Sequence, residues 1–131
     1  MNSQLLTKIN IFIKKRLIEL SGVLLVILSL FLLTSIFSYS PDDPSLIGET
    51  EKVDIKNFGG FYGSIISDFF LQSIGLIFIL LSLTILVWGF KVLIDKKIDN
   101  FISKIFFILL YVIFGTTFLN ISFDHSYLLK N

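Results

Sequence analysis

Few of the 131 residues could carry chemistry on their own. Asp68 is the one acid placed close to the bilayer core, and acids at membrane depth are costly and often serve proton or ion paths. Its place near the start of its apolar run also suits a structural role, because the positive end of a helix dipole favours a carboxylate. Asp42 and Asp43 stand between Pro41 and Pro44, where a pair of acids could hold a cation or act as acid and base. A solvated turn needs the same residues, since Asp and Ser beside Pro accept from backbone donors. His125 is the only histidine and sits next to Asp124, which makes neither a metal site nor a nucleophile triad. Cysteine is absent, which excludes disulfides and thiolate-bound metals. No G-x-x-x-x-G-K-[ST] loop occurs to cradle nucleotide phosphates, and no Gly-Lys pair occurs at all. The expectation is a chain with no cofactor, no metal and no catalytic residue.

The elements around these residues point to lipid. Hydrophobic residues make up 54% and charged ones 16%, against about 25% charged in an ordinary globular protein. The mean hydropathy is +0.87, and phenylalanine alone supplies 15 residues. A small soluble fold leaves too much area in water to hide that much apolar surface. Alanine is absent, so Gly and Ser must supply the small residues for close helix packing.

Three apolar stretches, the first without any charge, are long enough to cross a bilayer, since about 20 helical residues cover roughly 30 Å of hydrocarbon. The expected fold class is all-α integral membrane, with three transmembrane helices and a polar external loop over residues 40–64. The expected order within a membrane-anchor domain over 1–131 starts with a basic segment 1–16, in which Leu5, Leu6, Ile9, Phe12 and Ile13 suit a short amphipathic helix. A first span over 20–39 follows. Its apolar run is longer than that of a signal peptide, and no A-x-A-like cleavage site follows it. Next come the loop 40–64, a second span 65–90, a turn 91–100, a third span 101–121 and a tail 122–131. Pro41 and Pro44 block continuation of the first helix.

The basic residues set the expected orientation. Lys8, Lys14, Lys15, Arg16, Lys91, Lys96, Lys97 and Lys104 fall on one side, and only Lys52, Lys56 and Lys130 on the other. The positive-inside rule therefore puts the N-terminus and the 91–100 turn in the cytoplasm, with the 40–64 loop and the tail outside. These basic residues hug the membrane, where anionic lipid is a nearer partner than DNA.

The outer loop holds the most specific pattern. Ser38-Tyr39-Ser40-Pro41-Asp42-Asp43-Pro44-Ser45 is a turn-rich helix exit. Asn57-Phe58-Gly59-Gly60-Phe61-Tyr62-Gly63 then leads to Ser64, Ser67 and Asp68. Gly59, Gly63 and Ser67 share one helical face and would let another backbone approach closely. Asp68, Gly75, Ser82 and Gly89 recur every seven residues, as a stripe facing a left-handed partner would, although chance gives the same spacing.

The SYSPDDPS segment at 38–45, followed by NFGGFYGSIISD at 57–68, resembles the N-terminal membrane domain of the FtsK/SpoIIIE DNA translocases. The likeness extends from about Leu17 to Leu119. It implies a four-span anchor joined by a linker to a cytoplasmic hexameric ATPase that pumps DNA through the closing septum. This chain holds three spans and no nucleotide loop, so it would be a truncated product, an incomplete reading frame or a fragment, and the motor's activity does not carry over. The resemblance implies a non-enzymatic anchor in the bacterial inner membrane at the division septum, with sister subunits and other division proteins as partners and no direct DNA or nucleotide binding. Gly59, Gly60, Gly63 and Asp68, with Asn57, would make the loop-to-helix packing, and Tyr39, Pro41, Asp43 and Pro44 would shape the outer turn. Two other functions remain open: a small transport or channel subunit using Asp68, and a generic membrane scaffold.

Overall fold

A computed structural model describes residues 3–45, 54–98 and 100–122, and every described element is a helix: α1 (Ser3–Phe37), α2 (Gly60–Ile74), α3 (Ile77–Asp95) and α4 (Phe101–Ser122). Three of them have the length and apolar composition to cross a bilayer: Leu6–Phe37, Ile77–Asp95 and Phe101–Ser122. The chain is therefore an all-α protein with three membrane-spanning helices, as its apolar stretches led us to expect.

Helix α1 takes the basic segment and the first span into one rod of 35 residues. No Gly or Pro lies between Ser3 and Ser21 to break it, so the expected amphipathic segment is its first part and not a separate helix. At the other end Pro41 forbids continuation and the helix stops at Phe37. Serines buried along the way bond back to carbonyls of their own helix. Ser29 donates to Val26 and Ser35 to Phe31, each at 2.8 Å, which satisfies their hydroxyls without a partner helix.

The expected second span, 65–90, is not one helix. Gly75 has φ 63° and ends α2, its amide donating to the Leu71 carbonyl at 3.0 Å. That left-handed conformation is cheap only for glycine and cannot lie inside an α-helix. The spanning element is α3 alone, whose 19 residues are about 28 Å long. It also runs past the expected boundary to Asp95. Lys91 does not stop it, and Lys96 caps it in a left-handed conformation, donating to Val92 at 2.9 Å. The turn therefore shrinks to residues 96–100, and the loop ends at Gly59, where the expected range had run to 64.

Helices α1 and α3 pack side by side in antiparallel register. A methyl added at Gly22 would meet Leu93 at 2.8 Å, and one at Gly89 would meet Val26 at 2.9 Å. Each helix thus offers a glycine to the other's branched side chain, and the backbones come close. Ser29 and Ser82 are fully buried along the same pair. Of the seven-residue stripe, Ser82 and Gly89 lie on α3, and Gly89 faces α1. Gly75 is the hinge, and Asp68 belongs to α2, so the positive φ at Gly75 divides the stripe. At the turn end, Glu19 accepts from Arg16 at 2.7 Å and pairs with Lys96 at 3.1 Å, fixing the end of α3 to α1.

The apolar core sits at the opposite end, where α1, α2 and α3 meet. Leu32, Ile36 and Phe78 are its buried centre, and the rings of Phe70 and Phe78 stack across the Gly75 break with centroids 4.6 Å apart. Such a pair adds about 1 kcal/mol beyond its area. Helix α4 has no buried residue, and Phe107 is 67% exposed. Water would penalise that surface; hydrocarbon does not.

Candidate functional site: a clasp between the loop and the first helix

The two halves of the loop pattern meet in space. As α1 ends, the Tyr39 amide bonds to the Ile36 carbonyl, leaving the Ser35 carbonyl without its regular helical donor. Asn57 Nδ2 takes that place, donating to the Ser35 carbonyl at 2.8 Å and to Ser67 Oγ at 3.4 Å. Asn57 Oδ1 in turn accepts from the Gly59 amide at 2.8 Å, so one side chain joins α1 to the start of α2. Asn57 is only 4% exposed, where an unmade bond would be expensive.

Asp43 holds the same strand of loop from the other side. Its Oδ1 accepts the Lys56 amide at 2.9 Å and its Oδ2 the Asn57 amide at 2.8 Å. Ser38 Oγ accepts the next amide, that of Phe58, at 2.9 Å. Three successive backbone N–H groups thus donate to the exit of α1. The neighbouring Asp42 forms an exposed ion pair with Lys56 at 2.8 Å. That ammonium holds the Asp42 carboxyl below the usual carboxylate range, and Asp42 holds Lys56 above the usual lysine value. Solvent screening leaves such a pair little weight in stability.

The glycines divide by reason. A methyl at Gly63 would lie 2.5 Å from Asn57 Oδ1 and 2.8 Å from Ser35 Oγ, and one at Gly59 would lie 2.5 Å from Ser35 Oγ. Both are glycine for space. Gly60 has nothing within 4 Å of an added methyl, but its φ is +62°. It is glycine for conformation and starts α2.

Asp68 lies one layer deeper and is 9% exposed. It sits two turns inside α2, not at its end, because the helix starts at Gly60, too far from the positive end of the dipole to gain from it. What holds it is hydrogen bonding. Tyr39 Oη donates to Oδ1 at 3.0 Å, and Gln72 Nε2 lies 2.9 Å from both carboxylate oxygens. Tyr39, beyond the end of α1, has its phenol pushed above 10.0, first by burial and then by the Asp68 carboxylate that accepts its proton.

The structure thus brings Asp43, Asn57, Gly59 and Gly63 into one joint, with Tyr39 and Asp68 bonded to each other in the layer beneath it. Pro41 stands inside the turn that the Asp43 amide closes on the Ser40 carbonyl, Pro44 follows Asp43, and Gly60 sets the entry to α2. Among the described residues no group of three or more His, Asp or Glu side chains could hold a metal ion. His125 and Asp124 lie outside the described residues. Sequence reasoning missed Ser35, Gln72 and Glu19. Gln72, four residues after Asp68 on a helix, carried a readable signal; Ser35 carried none, because its part in the site is a backbone carbonyl.

The sequence matches the 4TM region of DNA translocase FtsK/SpoIIIE over residues 14–129. It is 34% identical over 86 residues to a DNA translocase FtsK of Bradyrhizobium diazoefficiens, an alignment that covers 66% of this chain and 10% of that protein. It is 31% identical over 90 residues to a DNA translocase FtsK of Azospirillum brasilense, covering 68% of this chain and 14% of that protein. The chain thus spans only a small part of the length of these relatives. No solved structure matches it.

Proposed function

We propose, for a chain that belongs to the family of the 4TM region of DNA translocase FtsK/SpoIIIE, that it anchors a DNA translocase in the bacterial inner membrane at the division septum and offers its subunits surfaces for assembly. The matched region is a membrane domain and not a motor, so the chemistry of ATP hydrolysis belongs elsewhere. A motor that pulls DNA loads its tether, and a tether must resist relative movement of its helices. The observation that carries the reading is the clasp. The two loop segments that mark the family resemblance are the two halves of one hydrogen-bonded joint, and that joint locks α2 onto α1.

Orientation is part of the proposal. Glu19 gathers Arg16 and Lys96 at the turn end of the helix pair, and Lys91, Lys97 and Lys104 lie near the same end. The positive-inside rule puts that end in the cytoplasm and the clasp outside. Sister subunits and other division proteins would meet the face of α4 turned away from α3, since no described residue of α4 is buried.

A transport subunit working through Asp68 is the rival reading. It is disfavoured because Tyr39 and Gln72 already occupy both oxygens of that carboxylate. Proteoliposomes holding the whole chain separate the two. Cation and proton flux no faster than in empty vesicles supports an anchor, whereas flux that Asp68→Asn abolishes would establish transport instead.

A further inference from the structure

A groove of about 680 Å³ opens between α3 and α4, the volume of a small-ligand site. Leu80, Leu83, Val87, Phe107 and Ile108 give it apolar walls, and Tyr111 Oη meets Thr84 Oγ1 at 3.3 Å within it. Contacts at both ends keep the helices at their distance. Gly115 lies against Ile77 at one end, and the rings of Trp88 and Phe101 are 5.4 Å apart at the other.

The Trp88 end differs in chemistry from the rest. Lys91 and Lys104 line it, and no carboxylate does. The ion pairs among the described residues engage Arg16, Lys56 and Lys96 with Glu19 and Asp42, so neither groove lysine has an acid partner there. Lys104 Nζ stands 5.5 Å from the Trp88 ring centroid. The indole Nε1 of Trp88 is buried, so what the ring offers the groove is apolar surface and not a donor. The first turn of α4, which starts at Phe101, adds the positive end of its dipole.

We propose that this groove binds one anionic phospholipid, its phosphate at Lys91 and Lys104 and its acyl chains along the apolar walls. The dimensions agree. From Lys91 to Leu80 α3 runs roughly 16 Å, about half of the ~30 Å hydrocarbon core, so the groove is one leaflet deep with its charge at headgroup level. A helix from a second copy would fill the walls but leave two ammonium groups unmatched. A phosphate satisfies both.

Trp88 is the only tryptophan, so its fluorescence reports this groove alone. The whole chain is placed in phosphatidylcholine vesicles containing a minor fraction of phosphatidylglycerol brominated along its acyl chains. Quenching of Trp88 is expected to exceed that from brominated phosphatidylcholine at the same mole fraction, with local enrichment of about fivefold per lysine. Lys91→Gln with Lys104→Gln should remove the excess, while Lys97→Gln, in the turn beyond the groove, should keep it; far-UV circular dichroism checks that each variant stays helical. Equal quenching by the two lipids in the unaltered chain would overturn the proposal without any variant. So would loss of the excess in Lys97→Gln, the mark of diffuse surface charge, or its displacement by millimolar inorganic phosphate, the mark of a site for a free ion.

Discussion

Asn57 Nδ2 donates to the Ser35 carbonyl at 2.8 Å, linking residues 22 positions apart where α1 ends and α2 is about to begin. The bond satisfies a carbonyl that the last turn of α1 leaves open, and the same side chain accepts from Gly59.

Replacing Asn57 by Ala should therefore leave the buried Ser35 carbonyl and the part-buried Gly59 amide unpaired. The expected cost is about 1–3 kcal/mol, seen as a lower thermal unfolding midpoint in detergent micelles. A midpoint equal to that of the unaltered chain would show the joint to be replaceable by water.

The clasp glycines should respond in a fixed order. Gly63→Leu must displace Asn57 and Ser35 and should cost on the order of 2 kcal/mol or more. Gly60→Ala meets nothing and should cost only the ~1 kcal/mol of a left-handed residue. The unfolding midpoints of the two variants check this, and the reverse order would refute the division of the glycines into space and conformation.

The spans were legible in the sequence because bilayer thickness demands apolar length, a property of composition alone. The break at Gly75 was not. A glycine inside an apolar run reads as a tolerated helical residue, and only its positive φ shows otherwise. Glu19 was overlooked because it stands one place ahead of the first charge-free run, and its partner Lys96 is distant in the chain. The glycine and acid positions of the loop were readable as a pattern, but the pairing of Asp43 with the amides of Lys56 and Asn57 was not. Hydrogen bonds between irregular segments leave no periodicity behind.

Alkaline pH should loosen the deeper layer. The Tyr39 phenol titrates above its ordinary 10.0 in the folded chain, so folding favours its protonated form. Its contribution is complete below pH 10 and is lost as pH rises through the folded value. Tyr39→Phe should flatten that alkaline loss in a pH series of unfolding midpoints; an unchanged slope would assign the loss to another group.

Orientation can be read with single cysteines, since the native chain has none. A cysteine at exposed Asp54 should react with an impermeant thiol reagent in intact spheroplasts, and one at Asn100 should react only after lysis. Labelling at Asn100 in intact spheroplasts would invert the topology.

The proposed role of these helices is to hold a protein at the division site. Its most direct test images the whole chain, carrying a fluorescent protein at its N-terminus, in dividing cells, beside the Asn57→Ala variant. A band at midcell is expected for the unaltered chain, and a weaker one when the clasp is broken. Uniform fluorescence around the cell membrane in the unaltered chain would contradict it.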